Sequence, residues 1–320
     1  MAEVTDNTAE NKGAIMLKDI TGIWGILLTP FTEQGDIDWE SFDREIDYCL
    51  TSGMQGIVAP AVASEFYALT DRERHQIVHT LSQRTKDRLP FVIGVSAPYA
   101  RQAAIWAQEA SDQGATAVMA MPPYVGHFQR PAIQDLIEYF RAIAEAVTCP
   151  VILQNTPSYF SGSMSLDVLT RVIEAVPRIT YVKEEGVAAA FRMIAIRETF
   201  VSQSLSLIGG IGGLYLLTEA ACGAQAWMPA CEVGDVLAKV VAALDREDQD
   251  TAQLLYHRLL PVLVAEQLMG MVWAKAVLRR RGIFRTVTMR APSVAWGPIQ
   301  EAELNRLWPI IQDLASVPWG

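Results

Sequence analysis

The stretch RITYVKEEGVAA (residues 178–189) decides how this chain is read. Its first half, with Ile179, Tyr181 and Val182, is an apolar run short enough for a buried strand, yet it ends on Lys183 beside Glu184 and Glu185. Charged side chains are seldom buried without a partner, so a lysine closing such a run needs a special surrounding. Side chains alternate across a strand, which puts Lys183 and Glu185 on one face and Glu184 on the other.

Seven further runs of the same kind surround it: GIWGILLTPF (22–31), GIVAPAVAS (56–64), FVIGVSAP (91–98), TAVMAMPP (116–123), PVILQNTP (150–157), LSLIGG (205–210) and AQAWMPA (224–230). Pieces with helical periodicity separate them, among them DWESFDREIDYCLTSG, DRERHQIVHTLSQRTKD and PAIQDLIEYFRAIAEAV, which open on the Asp or Pro that helix starts favour. Apolar strands alternating with helices imply a parallel sheet covered by helices. Eight such units predict an α/β fold, a closed (β/α)8 TIM barrel, rather than an open doubly wound sheet, for which LLTPFTEQGD after the first strand lacks GxGxxG. After Ala230 no strand pattern recurs, and three or four helices are expected. The expected division is a polar tail over 1–19, the barrel over 20–230 and a C-terminal helical extension over 231–320.

Composition narrows the partners. With 51% hydrophobic residues in 320 the chain can build a large core, and a net charge of −10 excludes binding to nucleic acid through a basic surface. The N-terminus has no apolar stretch typical of a signal peptide, and no run of 18 apolar residues is free of charge, so neither export nor a membrane is expected. Cys49, Cys149, Cys222 and Cys231 lack CxxC spacing and read as reduced core thiols, which fits a cytoplasmic setting.

In a barrel of this kind, reactive groups belong at the C-terminal ends of the strands. Among the residues at those ends Lys183 is the one lysine. A lysine partly withdrawn from water loses ammonium stability, and a neutral amine can attack a ketone to form a Schiff base. The structural alternative is that Lys183 only pairs with Glu184, Glu185 or Glu65 to close the rim.

Taken together, GILLTPFTEQGDIDWESF, SEFYALTDRER, MAMPPY, VILQNTPS and YVKEE resemble the dihydrodipicolinate synthase and N-acetylneuraminate lyase superfamily over roughly residues 20–315. The resemblance implies imine formation on Lys183, a homotetramer built as a dimer of dimers, and no metal or organic cofactor. It also exposes departures. Gln154 stands where the family carries the tyrosine of YN.P, and an amide cannot shuttle a proton near neutral pH. The family's GTTGE reads AVASE, so Val62 and Ala63 replace both threonines, and Val125 replaces the tyrosine lent by a neighbouring subunit. Tyr159 lies where dihydrodipicolinate synthases place an arginine.

These departures resemble the branch of sugar-acid dehydratases. The expected activity is a carbon–oxygen lyase acting on a 2-keto-3-deoxy sugar acid, L-2-keto-3-deoxyarabonate going to 2-oxoglutarate semialdehyde. Lys183 would form the imine, Glu185 would take a C3 proton and then help the C4 hydroxyl leave, and Gln154 would aim that hydroxyl. Ala63, Ser64, Glu65, Tyr124, Asn155 and Gly210 are the expected substrate contacts, with backbone N–H groups near Ala63 and Ser64 holding the 2-oxo acid carboxylate. A pyruvate-dependent aldolase, a hydroxypyrroline-carboxylate deaminase and a non-catalytic 2-oxo acid sensor are the alternatives.

Other signals carry less. His75 and His79 are four apart on a helix, but Gln76 stands where the zinc-protease pattern needs Glu. His127 lies in a loop expected to overhang the barrel mouth. The glycines of GGIGG (209–213) are expected to clear space beside a substrate tail, and LRRRG (278–282) to end a helix in solvent.

Overall fold

The computed structural model describes residues 19–124, 131–156, 163–185, 188–201 and 204–317. All eight expected strands form: β1 (Gly22–Ile26), β2 (Gly56–Val58), β3 (Phe91–Gly94), β4 (Ala117–Ala120), β5 (Val151–Asn155), β6 (Ile179–Glu184), β7 (Ser206–Gly209) and β8 (Ala224–Trp227). They pair in parallel in sequence order, and β8 returns to β1, closing the barrel. The strands are shorter than the apolar runs that announce them. In the run 56–64 only three residues are strand, and Val62–Ser64 turns into a 3-10 turn that brings the chain over the barrel mouth.

The ring of helices comprises α1 (Trp39–Thr51), α2 (Asp71–Thr85), α3 (Ala100–Asp112), α4 (Ile133–Glu145), α5 (Leu166–Ala175), α6 (Ala189–Thr199), α7 (Leu216–Ala221) and α8 (Gly234–Asp245). Their starts obey local chemistry. Thr70 opens α2 with a capping box, accepting from the Glu73 N–H while the Glu73 carboxylate accepts from the Thr70 N–H. Asp38 and Ser165 cap α1 and α5 in the simpler way, each accepting from an N–H three residues on.

Helix α8 packs against β1, so the ring runs on to Asp245, past the boundary drawn from sequence at Ala230. The reason is that α8 covers β1 across the barrel's closing seam, a tertiary relation that local pattern does not carry. Beyond it lie α9 (Gln249–Met269), α10 (Met271–Arg280) and α11 (Pro298–Leu314). Gly270 separates α9 from α10 at φ +70 and ψ −160, a conformation that glycine adopts without Cβ strain.

The core fills the barrel and the layer between strands and helices, with Ile23, Ile57, Ile93, Val151, Leu153, Val182 and Ile208 fully or almost fully buried. All four cysteines are free and buried. Among the described residues no helix is long and apolar enough to cross a membrane. The arginines of LRRRG are not solvated as a group: Arg281 is buried against Asp235 at 2.9 Å, while Arg279 and Arg280 pair with Glu301. A buried aspartate on α8 draws the third arginine inward.

Candidate active site

A cavity of about 260 Å³ opens at the C-terminal ends of the strands. Lys183 and Gln154 enter it from β6 and β5, where they stand opposite each other in register, and Glu185 follows one residue after β6 ends. Strand alternation is obeyed: Glu184 turns outward to Arg192 of α6 and to Asn155. Burial raises the Glu184 carboxyl to about 7, against the pull of the Asn155 hydrogen bond and the Arg192 charge.

Lys183 Nζ lies 3.2 Å from Glu185 Oε1, with side-chain exposures of 2% and 10%, so the pair borders a cavity rather than bulk water. Glu185 is held by two more donors. Gln154 Nε2 donates to Oε2 at 2.7 Å, and the Ile211 N–H donates to Oε1 at 3.4 Å. Ile211 adopts φ +48, an uncommon left-handed backbone for a β-branched residue, in the turn that carries that N–H. Three donors thus converge on one carboxylate beside the lysine.

The glycines of 209–213 make room for this chain's own carboxylates, not for a substrate tail alone. A Cβ on Gly210 would stand 2.2 Å from Glu185 Oε1, one on Gly209 the same distance from Glu219 Oε2, and one on Gly212 2.7 Å from Glu266 Oε2. Glu219 accepts from Trp227 Nε1 at 2.9 Å, and burial pushes its carboxyl up to about 8.

Of the expected substrate contacts, Ala63 lines the cavity beside Val62. Ser64 does not: its hydroxyl donates to Leu27 O and accepts from the Ala61 N–H, and its own N–H is used by Ala61 O. Glu65 is turned away, paired at 2.6 Å with Lys275 and accepting from the Arg290 and Ala291 N–H groups. It ties the C-terminal segment to the loop after β2. Asn155 is wholly buried, donating to Glu184 and accepting from the Met164 N–H, so it orders the loop after β5. Tyr124 sets its ring edge-on to Phe66 at 5.6 Å and is not among the cavity-lining residues. Gly210 stands behind Glu185. Val125, His127 and Tyr159 lie outside the described residues.

Sequence reasoning missed the cavity's outer wall. Glu266, Gln267, Gly270 and Met271, from the end of α9 to the start of α10, line the same cavity as Lys183, together with Ile211, Gly212, Met228 and Thr156. One signal was present: a glutamate inside the apolar run LVAEQLM of α9, where a charged residue implies burial with a partner. That partner is Glu232, also buried. Both carboxyl oxygens of Glu232 are buried with no hydrogen-bond partner among the described residues, and its charge acts on Glu266. Burial raises both. The Arg281 charge opposes it at Glu232, whereas the Glu232 charge adds to it at Glu266.

His75 pairs with Glu109 and His79 with Gln83 on the outside of α2, far from any cluster of ligands. Among the described residues no group of three His, Cys, Asp or Glu side chains is arranged to hold a metal. A larger depression of about 790 Å³ lies at the N-terminal ends of β7 and β8, lined by Arg197, Gly223 and Gln225, at the opposite end from the lysine.

The sequence model of the Dihydrodipicolinate synthetase family matches residues 19–313. An L-2-keto-3-deoxyarabonate dehydratase of Azospirillum brasilense is 28% identical over 299 residues, covering 91% of this chain and 95% of the relative. A 4-hydroxy-tetrahydrodipicolinate synthase of Pseudomonas aeruginosa is 29% identical over 258 residues, 76% of this chain and 82% of the relative. The crystal structure of dihydrodipicolinate synthase from Rhodopseudomonas palustris superposes with a TM-score of 0.82 at 27% identity, over 91% of this chain and 97% of that one. Closed barrel and appended helices agree with these matches, and the chain belongs to the dihydrodipicolinate synthetase family.

Proposed function

We propose that this lyase removes water from a 2-keto-3-deoxy sugar acid, L-2-keto-3-deoxyarabonate in the first instance, through an imine on Lys183. One observation carries the proposal: Glu185 stands 3.2 Å from Lys183 and is anchored by the amide of Gln154, at the position where a proton-shuttling phenol would otherwise be expected. The similarity to the Azospirillum brasilense dehydratase supports the substrate class.

The substrate carboxylate would sit against the turn at Val62 and Ala63. The Ser64 and Glu65 N–H groups are occupied inside that turn by Ala61 and Val62 carbonyls, which leaves the two earlier N–H groups as the donors at the cavity wall. Lys183 Nζ attacks C2 and expels water to give a protonated imine, with Glu185 within reach to relay the proton the amine sheds. The imine draws electrons from the C3–H bond, and Glu185 takes that proton to leave an enamine. The enamine expels the C4 hydroxyl, which takes a proton from an acid in the cavity and leaves as water, giving an imine conjugated to C3=C4. Loss of a C5 proton, tautomerisation of the resulting enol and hydrolysis of the imine release 2-oxoglutarate semialdehyde and free Lys183. The balance is one substrate to one product and one water.

A retro-aldol route starts from the same imine but needs a base on the C4 hydroxyl, and the residue at the phenol position is Gln154, which has no exchangeable acid function at neutral pH. The test is a product assay on 2-keto-3-deoxy pentonates and hexonates. A semialdehyde without pyruvate is the expected result; pyruvate release would overturn the proposal in favour of C–C cleavage.

A further inference from the structure

The cavity that holds the lysine is also lined by a carboxyl to which the reaction as written above gives no role. Glu266 reaches the cavity from α9, in the helices appended to the barrel, and its carboxyl packs on Gly212, where any side chain would collide with it. Behind it stands Glu232, from the 3-10 turn after β8, with Arg281 of the segment after α10 and Asp235 of α8 as the charges around Glu232. Glu266 and Glu232 are both buried, and neither carboxyl oxygen of Glu232 has a hydrogen-bond partner among the described residues. Two neighbouring carboxyls withdrawn from water repel each other when both are ionised, and such a pair relieves the cost by keeping one member protonated. Glu185 presents the opposite environment, with three donors directed at it.

Two carboxyl groups in one cavity, one wrapped in donors and one backed by a carboxylate, divide into base and acid. We propose that Glu266 is the general acid of the dehydration: as the C4–O bond breaks, Glu266 gives its proton to the departing hydroxyl, which leaves as water. Glu232 is a positioning residue that keeps that proton on Glu266 and aims it into the cavity. This inference rests on the dehydratase reading and assigns the acid within it. After the step, Glu266 is left ionised beside Glu232, and the C5 proton lost later in the sequence restores it, so no external acid is consumed.

The discriminating variant is Glu266→Gln, which keeps size and hydrogen-bonding capacity and removes the transferable proton. With L-2-keto-3-deoxyarabonate in deuterated water, exchange at C3 reports imine formation and the action of Glu185, and semialdehyde reports loss of the hydroxyl. Expected are C3 exchange near the parental rate and semialdehyde formation reduced by about 10²-fold or more, the usual size of a general-acid contribution. An analogue bearing fluoride at C4, a leaving group that needs no proton, should react in the variant within a few-fold of the parental rate. Semialdehyde formation near the parental rate in Glu266→Gln, or an equal loss on the hydroxyl and fluoride substrates, would overturn the acid role. Absence of C3 exchange and of semialdehyde in the unaltered protein would instead overturn the dehydratase reading, and this assignment with it.

Discussion

Gln154 Nε2 donates to Glu185 Oε2 at 2.7 Å, between strands whose register sets Gln154 opposite Lys183. The contact makes three residues one unit, because Glu185 is then held between the amide and the amine. A hydrogen bond to a charged group is worth about 1.5–3 kcal/mol, so Gln154→Leu should lower kcat roughly ten- to a hundredfold with imine formation retained. Glu185→Gln should cost at least ~10²-fold, also with the imine retained. Single-turnover kinetics with borohydride trapping separates the two steps. Parental turnover in Glu185→Gln would show that the base lies elsewhere.

Gly210→Ala tests the same carboxylate by crowding. The substitution adds a Cβ that would sit 2.2 Å from Glu185 Oε1. Displacing the base should reduce turnover by roughly 10²-fold, with imine formation on Lys183 retained. An unaltered turnover rate would mean that the position of Glu185 is unimportant.

Lys275 and Glu65 form a buried pair at 2.6 Å, and Lys275 also donates to Thr288 O. Removing one member of such a pair leaves a buried charge without compensation and costs about 3–5 kcal/mol. Lys275→Met should therefore lower the urea midpoint sharply, and adding Glu65→Gln should restore part of the loss. Additive losses in the double variant would show that the two residues are not coupled.

Acid sensitivity has a definable source at Glu73. Arg290 grips this carboxylate with both terminal nitrogens, at 2.8 and 2.5 Å, and its hydrogen bonds hold the carboxyl at about 2, below the ordinary 4.5. A folded-state value below the unfolded one stabilises the fold above about pH 4.5, and the contribution is lost as pH falls through that point toward 2. Glu73→Gln should lower Tm at pH 7, with the gap from the parent narrowing by pH 3. A gap independent of pH would assign the effect to packing.

The barrel was legible because parallel strands, covered on both sides, leave near-continuous apolar runs such as VILQN and ITYV, and eight of them leave little choice of topology. The lysine and Glu185 were legible for the same reason, since alternation alone puts them on one face. Glu65 and Asn155, expected as substrate contacts, take partners that tertiary structure sets: Lys275 lies 210 residues from Glu65, and Glu184 lies 29 from Asn155. The outer wall was hidden because α9 and α10 reach the cavity only after the chain has circled the barrel. Glu266 was visible as a charge in an apolar run, but its neighbour Glu232 lies 34 positions earlier in sequence, and periodicity does not pair them.

The central claim is that Lys183 bonds covalently to the carbonyl carbon of a 2-oxo acid. Incubation with pyruvate or L-2-keto-3-deoxyarabonate, followed by borohydride and peptide mass spectrometry, reads it directly. The account predicts a reduced adduct on the peptide carrying Lys183 and none in Lys183→Arg. An unmodified Lys183, or the same adduct on another lysine, would contradict it.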